Sequence, residues 1–358
     1  MPSPARIVMG VAAKESVAAV SESVAPGLVH GRVIRETAPR FLAAQSTAGE
    51  CGMQDAKTPY QTRNAGYDGA MRVRKAVITA AAKSQRALPM QTLFDQDGVE
   101  RSVLSLIVRE AAHAGIGDIG IVVWPGDEDS YAKLLVDDPV RVTFIPQLEA
   151  RGYAHAVFQA RAFVGGEPFL HCVGDHIYAG AEAGGSAKQV VHLAEAESCA
   201  VSAVQITREN LLPHFGAVGG EAVAGRTDVY RVDTVLEKPT PTEAEQRIIV
   251  PGLRAGQYLC FYGMHVFTPS IFDILERMLL DAAGRSVSLS VSLAELARRE
   301  QYLAMIQKGR RFDVGVKYGL FNAQLALALG GRDRDHVLTE LIDVLAARGL
   351  FSHSGADA

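Results

Sequence analysis

The sequence predicts an α/β protein: a doubly wound mixed sheet, mostly parallel, with antiparallel additions and a helical C-terminal region. Short β-branched runs alternate with apolar residues at helical spacing from Arg72 to about residue 206. Such alternation places helices over both faces of a parallel sheet. Later strand-like runs follow one another without that rhythm, as antiparallel strands do. Helical periodicity then dominates the last stretch. In a doubly wound sheet, ligands bind beyond the carboxyl ends of the strands.

Taken in order, Ala76-Val77-Ile78 reads as a buried parallel strand leading into a loop of small residues, Ala80-Ala81-Ala82. Val103, Leu104, Ile107, Val108 and Ala111 fall at helical spacing, and Gly115 stops that helix. Strands are expected over 119–124, 140–145, 169–173 and 199–206, with helices over 130–135, 154–163 and 188–196 between them. Runs 228–236 and 257–267 supply the antiparallel additions. Thr268-Pro269 reads as a helix N-cap with proline in the first turn, running to about Ala283 before Gly284. Further helices are expected over 293–299, 320–329 and 335–348.

The length suits about two domains. Composition divides the chain into an extension over residues 1–70, an organised region over 71–330, and a C-terminal helix and tail over 331–358. The extension is rich in Ala, Ser and Gly and broken at Pro26, Gly27, Pro39 and Pro59. It is expected to be disordered and dispensable. It lacks the charged start, apolar core and cleavage site of a secretory signal. No apolar run approaches the roughly 20 residues that span a bilayer. A net charge of −4 argues against an extended nucleic-acid surface while leaving room for a local cationic pocket. Cys51, Cys172, Cys199 and Cys260 have no metal-ligand spacing, which fits a reducing, cytoplasmic setting.

Four stretches carry chemistry. After the first strand, Lys83 and Arg86 follow the small-residue loop; its backbone can approach a ligand closely and the cations suit phosphate oxygens. The loop contains no glycine, so the Gly-x-Gly-x-x-Gly fingerprint of a dinucleotide-binding dehydrogenase is missing. Asp175 ends a strand in Val173-Gly174-Asp175-His176; a carboxylate there suits Mg²⁺, which takes one or two protein carboxylates plus phosphate oxygens. Glu237 and Lys238 end another strand and suit sugar hydroxyls and phosphate. Arg311-Phe312-Asp313-Val314-Gly315-Val316-Lys317 supplies a second carboxylate and another cation. Each stretch taken singly also reads as a solvated strand end or a turn. Their order and shared position after strands favour one site.

Together these motifs resemble the bacterial UTP–glucose-1-phosphate uridylyltransferase family, within the sugar-phosphate nucleotidyltransferases, over roughly residues 72–330. Lys75-Ala76-Val77-Ile78, then Ala81 and Arg86-Ala87-Leu88-Pro89, resemble its opening strand and signature loop. Gln147 and Gly152-Tyr153-Ala154-His155-Ala156 resemble the segment around the uracil base; Phe215-Gly216 resembles the sugar-contacting turn. Glu237-Lys238-Pro239 and Asp313-x-Gly315-x-Lys317-x-Gly319 resemble the later motifs. The departures are Ala82, Ser84 and Gln85 in the loop, Leu93 to Gly98 in place of a lysine-bearing segment, and Gly263-Met264-His265 where Gly-Arg-Tyr is common.

The resemblance implies a Rossmann-like nucleotidyltransferase fold and an enzyme making a nucleoside-diphosphate sugar, best UDP-glucose, and pyrophosphate from UTP and a sugar-1-phosphate. It implies Mg²⁺ on Asp175 and Asp313. It assigns Arg86, helped by Lys83, to the leaving pyrophosphate, and Lys238 to the sugar phosphate with Lys317 near the phosphates. Ala81, Ala82, Gln147 and Gly152 would form the nucleotide site; Gly216 and Glu237 would hold the sugar. Neither nucleic acid nor membrane is an expected partner. The helical tail suits a homo-oligomer contact and packing on its own domain equally. Two alternatives stay open: a non-catalytic nucleotide-sugar sensor, and a glycosyltransferase with a similar sheet, for which Asp127-Glu128-Asp129 is only a superficial Asp-x-Asp and reads rather as the start of a surface helix.

Overall fold

The structure, a computed structural model, describes residues 70–180 and 185–348. The expected extension, apart from its last residue, and the terminal tail from residue 349 lie outside the described residues. The first elements are β1 (Lys75–Ala80), β2 (Thr92–Phe94), β3 (Glu100–Ser102), α1 (Val103–His113), β4 (Asp118–Val123), α2 (Glu128–Leu134), β5 (Arg141–Pro146), α3 (Tyr153–Gln159) and α4 (Arg161–Val164). Next come β6 (Phe169–Val173), β7 (His176–Ala179), α5 (Gly185–Glu197), β8 (Ala200–Arg208), β9 (Gly216–Ala222), β10 (Val229–Glu237), α6 (Pro241–Arg247), β11 (Gln257–Phe267) and α7 (Ser270–Asp281). The chain continues through α8 (Leu289–Arg299), β12 (Tyr302–Ile306), β13 (Arg310–Asp313), α9 (Gly319–Gly330) and α10 (Arg334–Ala347).

The main sheet runs β5-β4-β1-β6-β11-β8-β12-β10-β9. Its first four strands are parallel. Alternate residues of β1 enter two cores: Ala76, Ile78 and Ala80 pack with α1 and α5, whereas Val77 packs with α3, α7 and α8. That division puts helices on both faces of the parallel half, as the continuous apolar run of β1 requires.

The expectation of a mostly parallel sheet is corrected beyond β6. Strand β11 runs antiparallel to β6, β8 and β9, and β10 runs antiparallel to β9 and β12; only β8 and β12 pair in parallel there. Because β11 pairs with both β8 and β9, strands β8, β12, β10, β9 and β11 close into a small barrel. Closure pairs the β9 edge that an open sheet would leave free, while β5 remains the edge at the other end.

Local differences from expectation have physical causes. The connection over residues 93–98 is hairpin β2–β3, its turn held by Asp95 Oδ1 accepting from the Asp97 and Val99 amides and by Gly98 at φ +73°. The helix expected over 154–163 divides into α3 and α4 at Ala160. Thr268 does not cap α7: Pro269 holds the N-cap position, and the Thr268 hydroxyl donates to Glu300 instead. Strand β11 bulges between Phe261 and His265, where Gly263 adopts φ +79°. Among the described residues, no helix is long and apolar enough to cross a membrane.

Candidate active site

After β1 the chain runs out through β4 to β5, then returns to the other side of β1 as β6. That reversal makes the carboxyl ends of β1 and β6 the switch point of the sheet, where a crevice opens. A cavity of about 400 Å³ lies there, walled by Thr79 to Lys83 after β1, by Val173 to His176 after β6, and by Gln147, Gly152 and Tyr153. A second cavity of about 540 Å³ lies beside the barrel strands. Tyr153, Val173 and His176 wall both, so the two adjoin as lobes of one cleft.

The boundary between the lobes carries an acidic cluster. One donor atom each from Asp175, His176 and Asp313 lies within 4.8 Å of the others. Asp313 returns from far along the chain because β13 pairs with β7, setting Asp313 opposite His176, and the Val314 amide donates to the Asp175 carbonyl. Burial pushes the Asp175 pKa up, but the hydrogen bond to His176 and the charges of His176 and Arg311 outweigh it and hold it below the ordinary value. An ionised carboxylate, a second carboxylate and an imidazole this close form a donor set that fits a divalent cation.

One wall of the first cavity is the loop after β1. Ala82 has φ −67° and ψ 111°, and no residue from Ala80 to Arg86 has positive φ. The loop therefore turns with ordinary backbone angles, through a 3₁₀ turn over Lys83–Gln85, and needs no glycine. Ala81, Ala82 and Lys83 wall the cavity, with the Lys83 ammonium 5.6 Å from the centre of the Trp124 ring. Arg86 lies apart from that wall. Its Nε donates to Asp127 Oδ2 at 2.7 Å and its Nη2 to Asp127 Oδ1, while its carbonyl accepts from the Tyr131 hydroxyl. The hydrogen bond to Asp127 raises the guanidinium pKa. Asp127 stands at the start of α2, as the reading of Asp127-Glu128-Asp129 as a helix start expects.

On another wall of the same cavity, Gln147 is buried and its amide contacts His155 Nδ1 at 3.0 Å and the Gly152 carbonyl at 3.4 Å. Gly152 has φ +91°, and a Cβ there would meet Ser286 Oγ at 2.1 Å. The left-handed backbone thus favours glycine where α3 begins, and any side chain would also make the Ser286 hydroxyl move.

At the other end, Gly216 and Glu237 face each other across β9 and β10. A Cβ on Gly216 would meet Ser290 Oγ at 2.5 Å, and the Ser290 hydroxyl donates to Glu237 Oε2. Lys238 holds φ +47°, its amide donating to the Phe215 carbonyl; a non-glycine residue there is strained and over-determined by its surroundings. Arg311 also walls this lobe, its guanidinium 3.9 Å from the Phe215 ring and donating to the Phe261 carbonyl at 2.6 Å. Desolvation lowers its pKa.

Ala81, Ala82, Lys83, Gln147, Gly152 and Asp175 thus gather at the first lobe, Gly216, Glu237 and Lys238 at the second, and Asp313 at the boundary. Two expected residues stand elsewhere. Arg86 is spent on Asp127, and the exposed Lys317 side chain lies 5.0 Å over the Tyr318 ring rather than in either wall. Sequence reasoning left Arg311, His176, Tyr153, His265 and Ser290 without roles. Arg311 was findable: it lies two before Asp313 in a strand, hence on the same face. His176 adjoins Asp175 and His265 stands in the Gly263-Met264-His265 departure, whereas Ser290 carries no sequence signal.

The family model described as Nucleotidyl transferase matches residues 89–329. UTP–glucose-1-phosphate uridylyltransferase 1 of Streptococcus pyogenes serotype M3 is 32% identical over 287 residues, covering 72% of this chain and 90% of the relative. The UTP–glucose-1-phosphate uridylyltransferase of Pseudomonas aeruginosa is 27% identical over 278 residues, covering 70% of this chain and 94% of the relative. In fold, the chain is similar to a UDP-glucose pyrophosphorylase from Acinetobacter baumannii, with TM-score 0.59 and 22% identity over 76% of this chain and 99% of that one. A glycine-free loop that still lines the cleft, carboxylates brought together at its middle and this likeness along most of the chain agree: the chain belongs to the nucleotidyl transferase family, among the bacterial UTP–glucose-1-phosphate uridylyltransferases.

Proposed function

We propose that the protein is a UTP–glucose-1-phosphate uridylyltransferase: it joins the uridylyl group of UTP to glucose-1-phosphate and releases pyrophosphate. The observation that carries this reading is the pair of adjoining lobes with Asp175, His176 and Asp313 at their boundary. A nucleotide in the first lobe and a sugar-1-phosphate in the second would meet at that boundary. The sugar phosphate oxygen attacks the nucleotide α-phosphorus in line, one P–O bond forming as the bond to pyrophosphate breaks. No enzyme nucleophile is needed; positioning and charge neutralisation carry the step.

Gln147 and the backbone at Ala81 and Gly152 take the base. Lys83 faces the outgoing phosphates, and Arg86 joins it where the nucleotide draws the guanidinium from Asp127. Glu237 accepts from sugar hydroxyls, Lys238 and Arg311 meet the sugar phosphate, and Lys317 adds a more distant charge. Asp175 and Asp313 would hold Mg²⁺, with His176 orienting Asp175; the ion would neutralise phosphate oxygens when bound. In the same proposal the fold is the Rossmann-like, doubly wound form with a barrel appended, and residues 71–330 are the catalytic domain. The buried free thiols Cys172, Cys199 and Cys260 suit a reducing cytoplasm. The apolar side chains of α10, none of them buried, suit contact between copies.

The test is pyrophosphate release from UTP with a panel of sugar-1-phosphates, with and without Mg²⁺. Release that needs both substrates and the ion is expected. Tight nucleotide binding without release would replace this reading with a nucleotide-sugar sensor.

A further inference from the structure

Beneath the second lobe lies a row of buried polar groups that the reaction above does not use. His171, His265 and Ser202 stand in register across β6, β11 and β8. The His265 ring stacks on His171 at 6.0 Å and on Phe267 at 5.1 Å. His265 walls the second lobe although it is only 2% exposed. Its Nδ1 lies 2.5 Å from Ser202 Oγ, which lies 2.5 Å from the Tyr302 hydroxyl.

That chain fixes where the imidazole proton sits. The Tyr302 hydroxyl has Ser202 as its one hydrogen-bond partner among the described residues, and a phenol is a stronger donor than an aliphatic hydroxyl. Tyr302 therefore donates to Ser202, and Ser202 donates to His265 Nδ1. The imidazole proton is left on Nε2. Burial and the neighbouring His171 keep the ring neutral by pushing its pKa well below the ordinary value. Nε2 has no partner among the described residues. Nor does it belong to the buried side-chain atoms that lack one, which are Arg151 Nε, Gln205 Oε1 and both Gln307 amide atoms. With Nδ1 tied into the sheet, the face of His265 that opens on the lobe is the Nε2 side.

We infer, on the sugar-1-phosphate reading of this lobe, that the His265 Nε2–H donates a hydrogen bond to one hydroxyl of the bound sugar and helps decide which sugar is accepted. A neutral donor suits a hydroxyl oxygen, and it leaves the phosphate to Lys238 and Arg311. Such a donor discriminates because a sugar lacking the bonded hydroxyl leaves it unpaired. Gly263, at φ +79° in the β11 bulge, re-aims the strand just before His265.

The experiment compares the full-length wild type with His265→Phe and His265→Gln, using UTP with glucose-1-phosphate and its 2-, 3-, 4- and 6-deoxy analogues. Phenylalanine keeps the ring and removes the donor; glutamine restores an N–H at similar reach. His265→Phe should lower kcat/KM for glucose-1-phosphate about 10-fold, the scale of one net hydrogen bond, with the KM for UTP unchanged. Wild type should lose a similar factor on one deoxy analogue, His265→Phe should lose nothing further on that analogue, and His265→Gln should recover part of the loss. If His265→Phe does not fold, Ser202→Ala tests the same point: freeing the Nδ1 tautomer should weaken discrimination of that one analogue. Unchanged discrimination in the folded variants, or a UTP KM that rises with the sugar KM, would overturn the role of His265 alone. A wild type inert towards every sugar-1-phosphate would instead overturn the reading of the lobe.

Discussion

Single charges decide most of this site. Asp175 keeps its charge despite burial because His176 and Arg311 favour the ionised form. Asp175→Asn preserves size and the contact with His176 but removes that charge. Turnover should fall on the order of 100-fold or more, as when a preorganised electrostatic group is lost from a transition state, with the thermal midpoint nearly unchanged. Unchanged Mg²⁺-dependent turnover in steady-state assays would remove Asp175 from the metal site. Lys83 is the second case. It walls the first lobe while Arg86 is engaged with Asp127, so it is the loop's available cation. Lys83→Ala should raise the KM for UTP several-fold and leave the KM for glucose-1-phosphate near its wild-type value. Equal kinetics would place the ammonium in solvent against Trp124.

Elements act through their junctions. The turn into α3 holds Gly152 at φ +91° against Ser286, so any side chain meets both backbone strain and a neighbour. Gly152→Ala should destabilise the protein by about 1–3 kcal/mol and raise the KM for UTP more than that for the sugar-1-phosphate. Gly152→Ala combined with Ser286→Gly should recover the part due to the clash and not the part due to φ. Denaturant titration of the three variants measures both; full recovery in the double variant would show that φ costs little there. The ribbon of β7 and β13 is the other decisive junction, since its register and the Val314 amide bond to the Asp175 carbonyl set Asp313 beside Asp175.

At the scale of the whole molecule, two neutral histidines are buried where the parallel half of the sheet meets the barrel. His171 donates from Nδ1 to the Val77 carbonyl and accepts from the Tyr153 hydroxyl, and burial brings its pKa down to about 4. His265 is shifted the same way. The unfolded chain takes up these protons as the pH falls through the ordinary histidine range, near pH 6.5, while the folded protein refuses them. The unfolded state then binds more protons, so stability falls with falling pH. The contribution of these two histidines is full above about pH 6.5 and declines as the pH drops towards 4, His171 losing on the order of 3 kcal/mol at about 1.4 kcal/mol per pKa unit. Thermal melts at pH 7 and pH 4.5 should show this decline, and His171→Gln should reduce it; a flat profile would mean that the rings accept protons in place.

What the sequence determined by itself is what short stretches decide. Apolar periodicity and β-branched runs placed β1, β4, β5, β6, β8, β10 and β11 and their helices, because those signals are local. Asp175, Glu237 and Lys238 stood out in the sequence only through their order and shared position after strands, since each alone reads as a solvated strand end. Tertiary structure alone decided the rest. Barrel closure depends on β11 meeting β9 across a long separation, and antiparallel pairing leaves no mark in either strand alone. The engagement of Arg86 depends on Asp127, which reads locally as a helix start. His265 reads as a departure without a role until the sheet register sets Ser202 and Tyr302 behind it and a cleft in front. The physical reason is the same in each case: propensity acts over a few residues, whereas register, ion pairing and proton position are settled between segments far apart in the chain and close only in the folded state.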